Sequence, residues 1–154
     1  MGSEKLPLNG EAVQKIAFDF FTELCHNNAE FAKFFTPQID EYRSWKLVYL
    51  KNERSKWNYC FCYNVNKNRV KLNIDIWGLC NPNKLNDIEG KYVFDTAASV
   101  HTKINFIGDV ADHKNGLIDC KDMSRDSFFS WLKTASKQML DFQKNVHDEL
   151  ILSP

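Results

Sequence analysis

The residue types best suited to catalysis lie in one polar loop, GDVADHKNGLIDCKD. Its carboxylates Asp109, Asp112 and Asp119 are oxygen ligands of the kind that divalent metal ions prefer. Asp119 and Lys121 also frame a D-x-K tripeptide, which occurs in many metal-dependent nucleases with the lysine orienting the attacking water. The loop therefore predicts, as a less favoured alternative, a metal-dependent nuclease or hydrolase that uses the three aspartates as ligands and Lys121 as its catalytic lysine.

A simpler interpretation of this loop is favoured. Asp109 and Asp112 precede Asp119 by only ten and seven residues, and the sequence shows no βαβ unit that could carry a nuclease core. Asp and Gly commonly form solvated turns. We therefore expect a surface loop, with no metal and no cofactor.

A second candidate is electrostatic. Between Arg43 and Lys71 the chain has eight basic residues and one acidic residue, which is a net charge of +7, and aromatic residues are interleaved with them. A basic surface with stackable rings is how single-stranded nucleic acid is commonly held. The opposing interpretation is that alternation turns the rings of Trp57, Tyr59 and Phe61 towards the core, so that the basic residues only solubilise the sheet.

The cysteines and histidines indicate no nucleophilic site. Neither G-x-S-x-G nor a P-loop is present. The five cysteines are an odd number, which favours free thiols in a reducing compartment and hence the cytoplasm. Cys60 and Cys62 share one strand face about 6.5–7 Å apart, at or beyond the usual limit for a disulfide, and are expected to act as small hydrophobic side chains.

The elements that position these residues are organised around the stretch Trp57–Trp77. Apolar and polar residues alternate on both sides of an Asn-rich turn at 66–69, which predicts a β-hairpin with one apolar face. Trp45–Leu50 adds a strand and makes a meander. Further strands are predicted at 102–107 and 117–120, whereas Tyr92–Phe94 fits either a strand or a loop.

Helices are predicted on both sides of these strands. Apolar residues at spacings of three and four follow Asn9, a second short helix ends before Pro37, and Asn81-Pro82 begins a third. The last helix begins at Ser124. Its apolar stripe consists of Phe128, Leu132, Ala135, Met139, Phe142, Val146 and Leu150.

Together these elements predict an α+β, two-layer fold. An antiparallel sheet of four to five strands is covered on one face by the N-terminal and long C-terminal helices. Residues 1–8 are predicted to be a flexible tail and 9–154 a single domain, a length that can bury its own core. The net charge is zero, which argues against global electrostatic steering towards nucleic acid. No apolar run is long enough to span a membrane.

These observations predict a non-catalytic interaction module. We expect it to engage a protein partner, or a second copy of itself, through the face of the basic, aromatic-rich meander that points away from the long helix. Trp77 falls on the face of Lys71, and exposed large aromatics mark protein interfaces. The alternative is a nucleic-acid-binding module that uses the same basic strip. The predicted partner-binding residues are Arg54, Lys56, Arg69, Lys71 and Trp77.

Overall fold

The fold is that of a computed structural model, which describes residues 4–53, 56–97 and 100–152. Helices lie at both ends of the described chain and strands between them. The helices are α1 (Gly10–Asn27), α2 (Ala29–Phe34), α3 (Pro82–Ile88), α4 (Arg125–Asn145) and α5 (His147–Leu150). The strands are β1 (Gln38–Tyr42), β2 (Trp45–Asn52), β3 (Trp57–Asn64), β4 (Arg69–Trp77), β5 (Val93–Ala97), β6 (His101–Asn105) and β7 (Ile118–Asp119).

Helix starts are set by the side chains that the sequence predicts as caps. The Asn9 side chain accepts a hydrogen bond from the backbone N–H of Ala12 at 3.1 Å. The Ser124 hydroxyl accepts one from Ser127 N–H at 3.1 Å, and Asn81 caps α3 directly before its proline. Each cap satisfies a donor that has no partner within its helix.

The strands form one antiparallel sheet in the order β1-β2-β3-β4-β6-β5, with β7 paired to the start of β4. The antiparallel sheet and the α+β class are confirmed, but seven strands exceed the predicted four to five. The unpredicted strand β1 (Gln38–Tyr42) is exposed along its whole length. It is an edge strand that pairs with β2, and the Gln14 side chain of α1 donates a hydrogen bond to Asp40 O at 2.8 Å. The segment left undecided forms β5, the other edge.

Alternation decides which residues of the central strands are buried. Tyr59, Phe61 and Tyr63 of β3 lie on the face packed against the helices and are fully enclosed. All seven residues of the predicted stripe on α4 and its continuation are buried too. Burying each large apolar side chain contributes about 1.5–3 kcal/mol, so the contact between this stripe and the sheet is the main stabilising interaction of the fold.

The described part of the predicted tail makes contacts with the body of the protein. Leu6 is buried, and its backbone N–H donates to Met123 O at 2.8 Å. Lys5 forms an isolated antiparallel bridge with Ser124. Residues 4–6 therefore lie against the start of α4. In the described residues, none of the helices combines the length and the apolar character that membrane spanning demands.

A polar pair lies within the core where α5 follows α4. The Tyr59 hydroxyl and His147 Nδ1 are 2.7 Å apart, and both side chains are buried. Burial, reinforced by the Lys51 charge, lowers the pKa of His147 to about 4. Burial also raises the pKa of Tyr59 well above its ordinary value, so both groups are neutral at pH 7 and share a hydrogen bond.

This pair predicts a pH dependence of stability. The folded pKa of His147 is about 4 and the unfolded one about 6.5, so the unfolded chain binds the proton more readily. The contribution of His147 to the free energy of unfolding is therefore fully present above about pH 6.5. It is lost as the pH is lowered towards 4, and this loss amounts to at most about 3 kcal/mol. Urea unfolding at several pH values measures this loss. The loss should be smaller in His147→Gln, which keeps a hydrogen-bonding side chain; an equally steep loss in that variant would contradict the assignment.

Candidate functional site

The candidate site is the sheet face opposite the helices, called here the open face. Cross-strand register aligns Leu47, Cys62 and Lys71 in one row and Tyr49, Cys60 and Asn73 in the next. These residues alternate with those that pack against the helices, so they point away from α1 and α4. The open face thus carries the polar and small side chains of the same strands that build the core.

A concave site of about 170 Å³ lies in the middle of the open face, and we call it the open-face cavity. Leu47, Cys60 and Cys62 are buried and form a small apolar cluster against which Trp45 and Tyr49 pack. The Lys71 ammonium lies 4.9 Å from the centroid of the Trp45 ring, a cation–π contact. The remaining lining residues are Tyr42, Asn58, Asn73 and Asp75.

The two thiols of the cavity lie side by side. Cys60 Sγ and Cys62 Sγ are 3.6 Å apart, and both residues are nearly enclosed while still bordering the cavity. Burial raises the pKa of the Cys60 thiol well above its ordinary value. The hydrogen bond with Cys60 lowers the pKa of Cys62, and the Lys71 and Lys103 charges add to this effect.

Trp77 marks one end of the open face. Its side chain is 52% exposed. Its ring stacks on the imidazole of His101 with 3.6 Å between the centroids, and His101 Nε2 lies 2.6 Å from Asp75 Oδ1. The stack holds a large apolar ring in solvent in a fixed orientation, an arrangement suited to contact with a partner.

Three of the predicted partner-binding residues, Arg69, Lys71 and Trp77, are spread along β4 rather than gathered in one patch. Lys56 and Trp77 border a separate cavity of about 220 Å³ that is lined mainly by apolar residues. Lys71 borders the open-face cavity. Arg69 lies at the far end of the strand, where it is the cross-strand register partner of Asp119 in β7. Arg54 lies outside the described residues.

The basic residues of the meander do not form a continuous strip. Lys46 points to the other side of the sheet and forms an ion pair with Glu41. Arg43 lies in the β1–β2 turn, 5.1 Å from the centroid of the Tyr42 ring. Because the rings of β3 are buried, the aromatics available on the open face are those of β1, β2 and the end of β4 instead.

The aspartates of the predicted nuclease alternative are held apart by separate contacts. Asp109 accepts a hydrogen bond from the Thr134 hydroxyl of α4 at 3.1 Å. Asp119 accepts one from the backbone N–H of Lys121 at 2.8 Å, and it borders a shallow cavity with Asp112. Across residues 4–53, 56–97 and 100–152, no three histidine, cysteine, aspartate or glutamate side chains are grouped so that they could hold a metal ion.

Sequence reasoning missed two features of the surface. The open-face cavity depends on Trp45 and Tyr49 standing beside Cys60 and Cys62, and only the register of β2 on β3 creates that neighbourhood. A groove of about 700 Å³ between α1 and α4 is also new, with Phe20 and Phe129 among its lining residues. In the sequence, this groove was indicated only by Phe129, which lies outside the seven-residue apolar stripe of α4.

Replacing Asp119 with alanine tests the metal alternative. The variant loses the hydrogen bond from Lys121 N–H, and we expect a stability loss of about 1 kcal/mol. Because the aspartates are not assembled, Mn²⁺ should change the thermal midpoint of the wild type and of Asp119→Ala equally, as differential scanning fluorimetry can measure. Stabilisation of the wild type alone by Mn²⁺ would contradict this expectation.

No protein-family model, no curated protein and no solved structure matches this chain.

Proposed function

We propose that this protein is a non-catalytic binding module whose open face takes a protein partner. The observation that carries the proposal is the open-face cavity, a recess with an apolar floor, aromatic walls and Lys71 at its edge. Energetically dominant contacts in protein complexes are typically large side chains buried in such recesses and surrounded by less important contacts. A cytoplasmic location forms part of the proposal and is supported by five free thiols.

The size and lining of the cavity define the partner's central contact. A volume of about 170 Å³ suits one large apolar side chain rather than a whole ligand of drug size, which needs about 300 Å³ or more. Trp45 and Tyr49 would flank this anchor, and Leu47 would contact its tip. Rings are well suited to this because they provide a large contact area at a small entropic cost.

The charges around the cavity favour an acidic neighbour beside the anchor. Lys71 and Lys103 project from adjacent strands on the open face, whereas the carboxylate of Asp75 is already engaged by His101. The partner segment is therefore an acidic peptide with one large apolar residue, and Lys56 and Trp77 provide a second contact further along β4.

Nucleic acid is the rival occupant of the same surface. Tyr42 and Trp77 expose rings on which bases can stack, and Lys71 and Arg69 can contact phosphate. Phosphate contacts make binding weaken steeply with salt, whereas an anchored peptide depends less on salt. Salt dependence therefore separates the two occupants.

A selection from displayed random peptides tests the proposal. We expect enriched peptides with a large apolar residue beside Asp or Glu, and their binding should shift the NMR signals of the open face. Lys71→Glu should weaken binding at least about tenfold, or about 1.4 kcal/mol, because it replaces attraction by repulsion. Tyr42→Ala and Trp77→Ala should weaken it less. Isothermal titration calorimetry measures each effect.

Matched controls lie on the helical side. Phe129→Ala and Lys133→Glu make the same kinds of change in the groove between α1 and α4 and should leave peptide affinity unchanged. Enrichment that maps to this groove would contradict the proposal, as would tight binding of oligo(dT) that disappears at high salt. A dimer in light scattering that Lys71→Glu dissociates would identify the partner as a second copy of the chain.

A further inference from the structure

The floor of the open-face cavity contains two thiols whose arrangement suits a ligand other than a peptide. Cys60 Sγ and Cys62 Sγ are 3.6 Å apart and face the same recess. We infer that these two sulfurs form a binding site for a soft, monovalent metal ion of the Cu⁺ type. The inference goes beyond the proposed function because metal binding needs no protein partner, so it can be tested with the isolated protein.

Rotation of the two cysteine side chains can bring the sulfurs to the separation that one bridging ion needs. A two-coordinate ion holds its two sulfurs nearly in line, about 4.6 Å apart for metal–sulfur bonds of about 2.3 Å, whereas the two Sγ atoms are now 3.6 Å apart. Because the strand sets the Cα atoms about 6.5–7 Å apart, side-chain rotation can supply the difference with the backbone in place. A disulfide is a poorer fit, because the Cα atoms of alternate strand residues lie about 6.5–7 Å apart. The pair is therefore better placed to share an ion than to become oxidised to a disulfide.

The ligand set selects the class of ion. Thiolates favour soft ions such as Cu⁺ and Zn²⁺ over hard ions such as Mg²⁺ and Ca²⁺. Structural Zn²⁺ needs four protein ligands, and no third cysteine, histidine or carboxylate joins the pair within the described residues. Asp75 borders the cavity, but its carboxylate is engaged by His101. A two-thiolate site with apolar walls suits Cu⁺, which accepts low coordination numbers.

The charge balance also favours a monovalent ion. Binding releases one proton from each thiol, so that Cu⁺ and two thiolates form a unit of net charge −1, with no change of oxidation state. Lys71 is the direct cross-strand partner of Cys62, and its ammonium is held above Trp45 beside the cavity. This positive charge compensates the unit in surroundings where an unpaired charge is costly. A divalent ion with two thiolates would instead form a neutral unit, which would leave the charge of Lys71 uncompensated.

Anaerobic titration with Cu⁺, supplied as its acetonitrile complex and competed with bicinchoninate, tests the inference. We expect one tightly bound equivalent and a near-ultraviolet sulfur-to-copper absorption band. Both should be lost in Cys60→Ser and in Cys62→Ser. Cys25→Ser, which removes a partly exposed thiol away from the cavity, should leave both unchanged. Near-ultraviolet circular dichroism checks that each variant is folded.

A second variant keeps the inference testable if the serine substitutions disturb folding. Lys71→Gln leaves both thiols in place and should weaken Cu⁺ binding by about tenfold or more through loss of the compensating charge, while Lys71→Arg should restore it. Retention of the tight equivalent in a folded Cys60→Ser/Cys62→Ser double variant would overturn the inference. So would Zn²⁺ binding as tightly as Cu⁺, or Lys71→Gln leaving the affinity unchanged.

Discussion

One-sided burial of the β3–β4 hairpin is the constraint on which the rest of this structure depends. Side chains of a strand point alternately to opposite faces, so enclosing Tyr59, Phe61 and Tyr63 beneath α4 turns Cys60 and Cys62 outward. A slip of one residue would exchange the two sets and expose the aromatic rings. The apolar contact between sheet and helix therefore fixes both the register of the core and the composition of the open face.

The open face is not simply a solvated surface. Cys60, Cys62 and Leu47 are almost as buried as core residues, although no helix from the described chain packs over them. Their cover comes from Trp45 and Tyr49, which stand beside them on the neighbouring strand. Burial among these rings raises the pKa of the Tyr49 hydroxyl to about 12, so this side chain stays neutral at physiological pH. The result is a partly dehydrated recess in which cations and hydrogen-bonding groups act more strongly than on an open surface.

How much the sequence could predict depends on how far apart in the chain the interacting residues lie. Caps such as Asn9 and Ser124, and the alternation of β3 and β4, are local, and the structure confirms them. Strand β1 is exposed along its whole length and is held by backbone hydrogen bonds to β2 and by the Gln14 side chain, so alternation could not reveal it. The contact of Lys71 with Trp45 joins residues 26 positions apart in the printed sequence. Only the packed sheet brings them together.

The proposed peptide anchor and the proposed metal ion would compete for one recess. An ion held between Cys60 and Cys62 would occupy the floor that an anchoring side chain must contact, and both ligands draw on the charge of Lys71. Thermodynamic linkage requires that each ligand changes the affinity for the other by the same factor. Bound Cu⁺ therefore lowers the affinity for an acidic peptide, and bound peptide lowers the affinity for Cu⁺ by the same factor. Lys71 would contact both ligands, whereas the two sulfurs would bind only the ion. Cys62→Ser should therefore abolish the coupling between Cu⁺ and peptide and leave peptide binding itself intact.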